Sequence, residues 1–476
     1  MLAILPRVWD PRSAAEELRD RLLYAINHVP GVDFFASEKI ELGWGAADRA
    51  SAQRELDYSP SSALHADDVT ATIMASVYSL PSDFVTPEAA ARLLGSIQRA
   101  SERTLVALVD LPMRERLAGD ASLDQVLFLE TYGRGYTPWP RDPFTLVGRS
   151  DGGAAVLVRP NRQLGREEDN FLGLELVQGI PEWLDARWGG LTWSRAPAPF
   201  HNGQVILTPR HAWISLHTLE QRVLELLGLE RVPEASFARK EGWLRYLAAA
   251  RRASAELASL YAREIAFVHP LGEEREGEDL EALIEAIAGG AGFDLDSLVT
   301  FLEPPGAHRP SALVGDVSGR GSALLGSMSS DELERFRAGF ELAPRSEELR
   351  RALLQAQGSP RAAGLARFLD LVADALAARG LEVERLPLFL VPVALLSQRD
   401  ELEHPDFLVT WNNVVPEVRE GVARAEGFES LSSSGDREAR EVFERAGYRL
   451  DLLPPLIRSI ILNGGYRCAS QHLRAR

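Results

Sequence analysis

Short apolar runs alternate with longer helical stretches, and this alternation limits the folds open to the chain more than any other feature. The runs at residues 103–110 and 154–160 are rich in Leu and Val and are bounded by polar or Pro residues, which is typical of buried strands. Residues 359–379 repeat apolar side chains at helical spacing, and Gly380 follows where a helix often ends. Strand, helix and strand recur along most of the chain, so the pattern predicts an α/β protein.

The same criteria predict further elements between these segments. Additional strands are predicted over residues 124–133, 204–216 with a turn at 208–210, 297–302, 311–317 and 387–396. Additional helices are predicted over residues 219–227, 239–265, 278–287 and 437–446.

Length and composition narrow the classes of protein. A chain of 476 residues exceeds the usual size of one core, which favours several domains or one large closed architecture of repeated units. Hydrophobic residues make up 45% and charged residues 25%, as in soluble globular proteins. A net charge of −17 argues against broad nucleic-acid binding, because phosphates repel an acidic surface.

Targeting signals are not evident. No stretch approaches the ~20 apolar residues that span a bilayer, and the first residues lack a basic segment followed by a long apolar run. We therefore expect a cytoplasmic protein that does not associate with membranes.

The one cysteine of the chain, Cys468, lies in the segment NGGYRCAS at residues 463–470. A single cysteine excludes an intramolecular disulfide and a cysteine metal cluster. Gly464 and Gly465 permit a tight backbone path, and Arg467 beside the thiol is expected to favour the thiolate. A lone cysteine is also commonly a small buried apolar residue, and the segment alone leaves both interpretations open.

A second segment, YTPWPRDPF at residues 136–144, places Arg141 and Asp142 between two prolines and close to Trp139. A carboxylate in such a loop can hold a guanidinium through paired hydrogen bonds. The alternative is a surface ion pair in a rigid turn.

Together these segments resemble the guanidine-modifying (pentein) superfamily, which includes arginine, agmatine and peptidylarginine deiminases and amidinotransferases. Trp139, Arg141, Asp142 and Pro143 match its Trp-x-Arg-Asp loop, and the segment Gly464-Gly465-x-x-Cys468 matches its cysteine motif.

Three more segments follow the order of that superfamily, so the resemblance covers residues 124–476. The sequence HNGQ at residues 201–204 stands where the family has Glu-Gly-Gly-Asp, and DLD at residues 294–296 stands where it has His-x-Asp. The segment FLVTWNNVV at residues 407–415 is similar to the family's Tyr/Trp-x-Asn segment. His201 therefore replaces the family's Glu, and Asp294 replaces its catalytic His.

The resemblance implies an architecture. We expect a single five-bladed, pseudo-symmetric α/β propeller over residues 1–476, with the site at its centre. Residues 228–291 are expected to form a helical insertion within it.

The resemblance also implies a chemistry without metal or cofactor. Cys468 would attack the guanidinium carbon of a small molecule or a peptide arginine, and the thiol of such a nucleophile should have an apparent pKa below about 8.5. The implied catalytic residues are Cys468, His201 and Asp296. The implied substrate-binding residues are Asp142, Asp294, Arg141, Trp139 and Gly465, with Asp142 and Asp296 gripping the guanidinium.

Two alternatives remain at this stage. The altered His and Glu positions also suit a catalytically lapsed pentein that binds a ligand or a partner protein. A cysteine hydrolase of unrelated fold would need a Cys-His-Asn set, which the sequence order does not support.

The remaining histidines are not expected in the site. His211 and His217 are predicted to be structural, His308 lies in a loop, and His472 would lie about 13 Å from Cys468 along a strand. The sequence gives no indication of oligomeric state.

Overall fold

Five sheets, each of three or four strands, are formed by the residues that a computed structural model of this protein describes. These residues are 60–63, 71–131, 136–149, 155–160, 169, 171–196, 200–215, 264–268, 294–304, 309–397 and 405–475, with isolated helical positions between 218 and 261. The strands are β1 Pro60–Ala63, β2 Thr72–Ser79, β3 Thr104–Val109, β4 Val126–Glu130, β5 Thr145–Arg149, β6 Val156–Arg159, β7 Thr192–Arg195, β8 Val205–Leu207, β9 His211–Ser215, β10 Glu264–Val268, β11 Val299–Leu302, β12 Ser311–Asp316, β13 Glu382–Pro392, β14 Asp406–Thr410, β15 Val415–Arg419, β16 Val422–Phe428, β17 Arg449–Leu453 and β18 Gln471–Ala475.

The helices lie mainly between strands that pair in parallel, because a parallel pair needs a long crossover connection. They are α1 Pro87–Ala100, α2 Leu111–Leu117, α3 Leu172–Gly179, α4 Glu182–Asp185, α5 Leu295–Leu298, α6 Ser322–Ser327, α7 Ser330–Gly339, α8 Ser346–Gln357, α9 Pro360–Ala378, α10 Ser433–Arg445 and α11 Ile457–Ile461. No helix among the described residues is both long and apolar enough to cross a membrane.

Every sheet contains the same three-strand arrangement. Its first strand pairs antiparallel with the second, and the second pairs parallel with the third. The five triplets are β5-β6-β7, β8-β9-β10, β11-β12-β13, β15-β16-β17 and β18-β2-β3. The fold is therefore mixed α/β and is built from a recurring supersecondary unit.

The fifth triplet joins the two ends of the described chain. Strand β18 pairs with β2, so that His472 lies opposite Ser76 and Leu473 opposite Ala75. The buried guanidinium of Arg474 donates to the carbonyl of Ala71 at 2.7 Å and to that of Pro416 at 2.6 Å. The last strand is thus bonded to two different sheets.

Helix α9 shows how local sequence signals set the elements. The Ser359 side chain caps its first turn, Pro360 occupies the first helical position, and Gly380 follows its end with a φ of 84°. One face buries Leu369 and Leu376 against the sheet that contains β12 and β13. The helix predicted over residues 359–379 is confirmed.

The other predictions agree with the structure to different degrees. The predicted strands correspond to β3, β4, β6, β8 with β9, β11, β12 and β13, and the helix predicted at 437–446 corresponds to α10. The helix predicted through residue 265 is wrong at its end, because Glu264–Val268 forms β10 and pairs parallel with β9. The helical insertion at 228–291 is therefore not helical throughout, and most of it, with the predicted helix 278–287, lies outside the described residues.

The Glu332 carboxylate joins two helices near the fourth triplet. It completes the capping box of α7 with Ser329 and accepts hydrogen bonds from Ser433 Oγ at 2.8 Å and from the Ser434 amide at 2.7 Å, at the start of α10. Burial alone would raise the pKa of Glu332, but these donors outweigh it and lower the pKa to about 2.

We therefore expect Glu332→Gln to destabilise the protein by roughly 1–3 kcal/mol at pH 7. A depressed carboxyl pKa stabilises the fold above the unfolded pKa near 4.5, so the difference from wild type should shrink as the pH falls toward 2. Urea unfolding of both proteins at about pH 7, 5 and 3.5 measures this difference in unfolding free energy. Glu334→Gln on the exposed face of α7 is the control and should change stability by less than about 0.5 kcal/mol.

Candidate active site

The segment that precedes the first strand of each triplet carries one polar or thiol side chain of interest. These side chains lie two to four residues before β5, β8, β11, β15 and β18, which begin at residues 145, 205, 299, 415 and 471. They are Asp142, His201, Asp296, Asn413 and Cys468.

Adjacent segments in this series contact one another. Asn202 Nδ2 donates to the carbonyl of Arg141 at 2.8 Å, which joins the first segment to the second. The His201 ring and the Gln204 amide both reach Asp294, which joins the second to the third. Thr410 Oγ1, next to the fourth segment, donates to the carbonyl of Ser297 in the third at 3.0 Å.

The series also closes on itself. The amide of Arg467 donates to the carbonyl of Asn413 at 3.3 Å, which joins the fourth segment to the fifth. Gln471 Nε2 donates to the carbonyl of Phe144 at 2.5 Å, which joins the fifth segment to the first. The five segments therefore contact one another in cyclic order.

Cys468 lies in a turn before β18 rather than in a strand, and it is 2% exposed. Its Sγ lies 3.6 Å from Asp296 Oδ2, and Asn413 Nδ2 donates to Sγ at 3.2 Å. Burial raises the pKa of the Cys468 thiol well above its usual value, and the charges of Asp296, Asp142 and Asp294 raise it further. The free site therefore favours the neutral thiol, whereas a catalytic thiol was expected to have a pKa below about 8.5.

Arg467 does not act on the thiol in the way that the sequence suggested. Its buried guanidinium donates to Asp296 Oδ2 at 2.5 Å and to the carbonyls of Asn202 at 2.9 Å and Val205 at 2.5 Å. The positive charge is thus used to hold Asp296. Even so, burial raises the pKa of Asp296 to about 7, with Asp294 and Asp142 adding to the effect.

His201 lies between two carboxylates. Its Nε2 is 3.2 Å from Asp142 Oδ2 and its Nδ1 is 3.5 Å from Asp294 Oδ1, while 27% of its side chain is exposed. Asp294 also accepts a hydrogen bond from Gln204 Nε2 at 2.6 Å. A side chain at Gly203 would collide with Asp294, since a Cβ there would lie 2.5 Å from Oδ2.

The Asp294 carboxylate is close to both the His201 imidazole and the Cys468 thiol. One oxygen of Asp294, one of Asp296 and Cys468 Sγ all lie within 4.8 Å of one another. In the part of the chain that is described, this is the group whose spacing would admit a metal ion. Arg467 already occupies Asp296, so we do not identify the three residues as metal ligands.

The remaining predicted residues lie around this centre in different roles. Trp139 is half-buried, packs over Gly464 and donates through Nε1 to Ser459 Oγ at 3.0 Å. The Arg141 side chain is fully buried. Gly465 lies against Asn413, and a Cβ there would lie 2.5 Å from the Asn413 Cβ. Their substrate-binding roles stay predictions.

The other histidines have structural surroundings where they are described. The ring of His211 lies 5.2 Å from that of Trp213. His472 is buried, with Nδ1 2.8 Å from Ser76 Oγ and Nε2 3.0 Å from Ser470 Oγ. His217 and His308 lie outside the described residues.

Sequence analysis missed the part that Asn413 plays. The segment at residues 407–415 was aligned with a family motif, but no residue in it was assigned to the site. Its signal was the pair Asn412-Asn413 directly before a strand, at the place that Asp142 and Asp296 occupy in other units. Asn413 also lines a cavity of about 30 Å³ together with residues such as Trp411 and Phe428, and Cys468 is not among the residues that line it.

Among proteins of known structure, two agmatine deiminases and a DDAH are similar to this chain. No protein-family model and no curated protein sequence matches the chain. The C. jejuni agmatine deiminase is similar over 86% of this chain and 95% of its own, with a TM-score of 0.49 and 10% identity. The agmatine deiminase of Enterococcus faecalis is similar over 88% of this chain and 97% of its own, with a TM-score of 0.45 and 11% identity. DDAH from Pseudomonas aeruginosa is similar over 85% of this chain and 100% of its own, with a TM-score of 0.33 and 11% identity. All three similarities are at 10–11% sequence identity.

The Arg467–Asp296 pair gives a first prediction for the site. Arg467→Met leaves a buried carboxylate without its cation, so we expect a loss of roughly 3–5 kcal/mol in unfolding free energy. Adding Asp296→Asn to the same chain should recover much of that loss, because the uncompensated charge is then gone. Urea unfolding at pH 8 measures both. Arg424→Met, which breaks a partly exposed pair with Asp451, is the control and should cost about 1 kcal/mol or less.

The carboxylates around Cys468 give a second prediction. Asp142→Asn removes one negative charge that raises the thiol pKa, so the rate of alkylation at pH 7 should rise by roughly 2- to 5-fold. The rate with iodoacetamide measures this on the one thiol of the chain. Asp451→Asn, in β17, should leave the rate unchanged. An equal rise in both variants would contradict the conclusion that the Asp142 charge raises the pKa of the thiol.

Proposed function

We propose that this protein is a guanidine-modifying enzyme in which Cys468 is the nucleophile. The observation that carries the proposal is a single buried thiol set among three carboxylates, with an imidazole bridging two of them. Asp142, Asp294 and Asp296 all raise the pKa of the thiol, which means that the site is negative around its reacting atom.

Such a site favours a cationic ligand. Carboxylates bind a planar guanidinium through paired, charge-assisted hydrogen bonds. The charge of a bound guanidinium would offset the carboxylates and lower the pKa of Cys468, so that the thiolate forms when the substrate is present. Asp142 and Asp294 grip the guanidinium in this scheme.

The first chemical step forms a covalent intermediate. The thiol proton passes to Asp296, whose Oδ2 lies 3.6 Å from Sγ and whose pKa near 7 suits this exchange. The thiolate attacks the guanidinium carbon and forms a C–S bond. One C–N bond then breaks, and the leaving nitrogen takes a proton from the His201 imidazolium, which two carboxylates stabilise.

The second step releases the product. Neutral His201 takes a proton from water, the oxygen attacks the amidino carbon, and the C–S bond breaks. The product's extra proton passes to the released ammonia, and Asp296 returns its proton to the thiolate. An amine in place of water would make the protein an amidinotransferase. A cysteine that must stay reduced suits a cytoplasmic location.

We also propose that the five triplets form a closed, five-bladed ring over a single domain with this site at its centre. The cyclic contacts of the five pre-strand segments and the pairing of β18 with β2 support this arrangement. The parts of residues 228–291 on either side of β10 would then be insertions in the second unit, since β10 itself belongs to the triplet.

A binding protein without catalysis is the second candidate. The neutral state of the free Cys468 thiol and the acid at position 294 favour it. Such a protein would bind guanidinium compounds through the same carboxylates and leave them unchanged.

Turnover decides between the two candidates. Wild-type protein is incubated with arginine, agmatine, methylated arginine and an arginine peptide, and ammonia and ureido products are measured. Acid quenching and mass spectrometry should reveal an adduct on Cys468 whose mass equals the substrate minus its leaving amine. Binding of a guanidine by calorimetry, with neither turnover nor adduct, would establish the binding protein instead.

His201 and His211 form a matched pair of variants. His201→Gln should lower kcat by roughly 10²- to 10⁴-fold, because a proton-transfer group is lost. His211→Gln replaces a ring that packs on Trp213, and this variant should retain kcat. Equal kcat in both variants would remove His201 from the mechanism.

A further inference from the structure

Asn413 occupies the fourth of the five positions that surround the thiol. Like Asp142 and Asp296, it lies shortly before the first strand of its triplet, and it is 4% exposed. Three of the equivalent positions hold groups that the proposed chemistry uses directly, and Cys468 is the fourth. Asn413 is the member without an assigned role.

The amide of Asn413 is oriented by the cysteine itself. The backbone N–H of Cys468 donates to Asn413 Oδ1 at 3.1 Å, so this oxygen is fixed as an acceptor. The other end of the amide, Nδ2, must then point to Sγ, which it reaches at 3.2 Å. One side chain thus holds both the backbone and the sulfur of the same residue.

The local packing keeps this amide in place. Gly465 leaves no room for a side chain, so the Asn413 side chain lies directly against the turn that carries Cys468. The backbone carbonyl of Asn413 also accepts a hydrogen bond from the backbone N–H of Arg467, and Asn413 Nδ2 lies 3.5 Å from Ser297 Oγ. The donor is therefore fixed before any substrate arrives.

The charges around the sulfur show what this donor contributes. Asp296 faces Sγ at 3.6 Å and 3.9 Å, and while it is ionised it accepts a hydrogen bond from the thiol and donates none. Asp142 and Asp294 add negative charge. Among the described residues, Asn413 Nδ2 is the side-chain donor within hydrogen-bond distance of Sγ, and a backbone hydrogen bond from Gly465 also lowers the pKa of the thiol. Such a donor stabilises a thiolate in this setting, because hydrogen bonds to the charged form favour it.

We propose that Asn413 is a further catalytic residue, which stabilises the thiolate of Cys468 by donating a hydrogen bond from Nδ2 to Sγ. The inference deepens the proposed function and rests on it only in taking Cys468 as the nucleophile. Asn413 makes the sulfur reactive although the surrounding carboxylates oppose its ionisation.

The test compares two adjacent asparagines. Asn413→Ala removes the donor, and Asn412→Ala removes an equally buried amide whose side chain contacts Thr300 rather than the thiol. The rate of Cys468 modification by methyl methanethiosulfonate is measured from pH 6 to 9, with circular dichroism as the check on folding. We expect Asn413→Ala to lower the rate at pH 7 by roughly 3- to 10-fold, and Asn412→Ala to change it by less than about 2-fold.

Asn413→Asp provides the sharper variant. It keeps the shape of the side chain, replaces the donor with an acceptor and adds a negative charge, so its rate should fall below that of Asn413→Ala. If the Asn413 variants fail to fold, Gly465→Ala displaces the amide without changing any charge and should also slow the modification.

The outcomes separate this inference from the proposed function. Slower modification in the Asn413 variants, without turnover in wild type, would support the donor role and reject the enzyme. Normal modification in folded Asn413 variants would overturn the inference, whether or not wild type turns over guanidines. Turnover adds a further readout, because kcat should fall in Asn413→Ala while KM changes little.

Discussion

Pairing of the last strand with the first sheet is the interaction on which the rest of the structure depends. Strand β18 can complete the fifth triplet only by bonding to β2, nearly four hundred residues earlier in the chain. The turn before β18 carries Cys468, so the same pairing brings the thiol to the segments before β8, β11 and β15. The buried guanidinium of Arg474 ties the strand to a second sheet and resists its detachment.

The site that results is a balance between burial and charge. Two carboxylates, of Asp294 and Asp296, lie within 4.8 Å of the thiol, Asp142 adds a third negative charge, and the buried cation Arg467 is bonded to Asp296. Excess negative charge is costly at this depth, and the raised pKa values of Asp296 and Cys468 express that cost. A cationic ligand would relieve it, which is why the arrangement suits a guanidinium. Asn413 is the neutral donor that keeps the sulfur usable under these conditions.

Much of the architecture could be predicted from the sequence, and the reasons are local. Apolar runs bounded by turn residues located β3, β6, β8, β9 and β12, and the Ser359 cap with Gly380 located α9. The helix predicted over residues 239–265 ran into the start of β10, because the preceding residues carry a helical apolar pattern and pairing with β9 overrides local preference. Its partner strand is distant in sequence, so no local signal reveals the pairing.

The residues of the site divide in the same way. The sequence by itself determined which groups are available: one thiol, the acids at positions 142, 294 and 296, and an imidazole at 201, all placed next to turns or strand starts. Only the tertiary structure decided that Arg467 holds Asp296 instead of activating the thiol, that His201 lies between two carboxylates, and that Asn413 reaches the sulfur. The physical reason is that charge effects depend on distances of a few ångströms between segments that are far apart in the chain. Residue types follow from the sequence, and those distances follow from how the sheets pack.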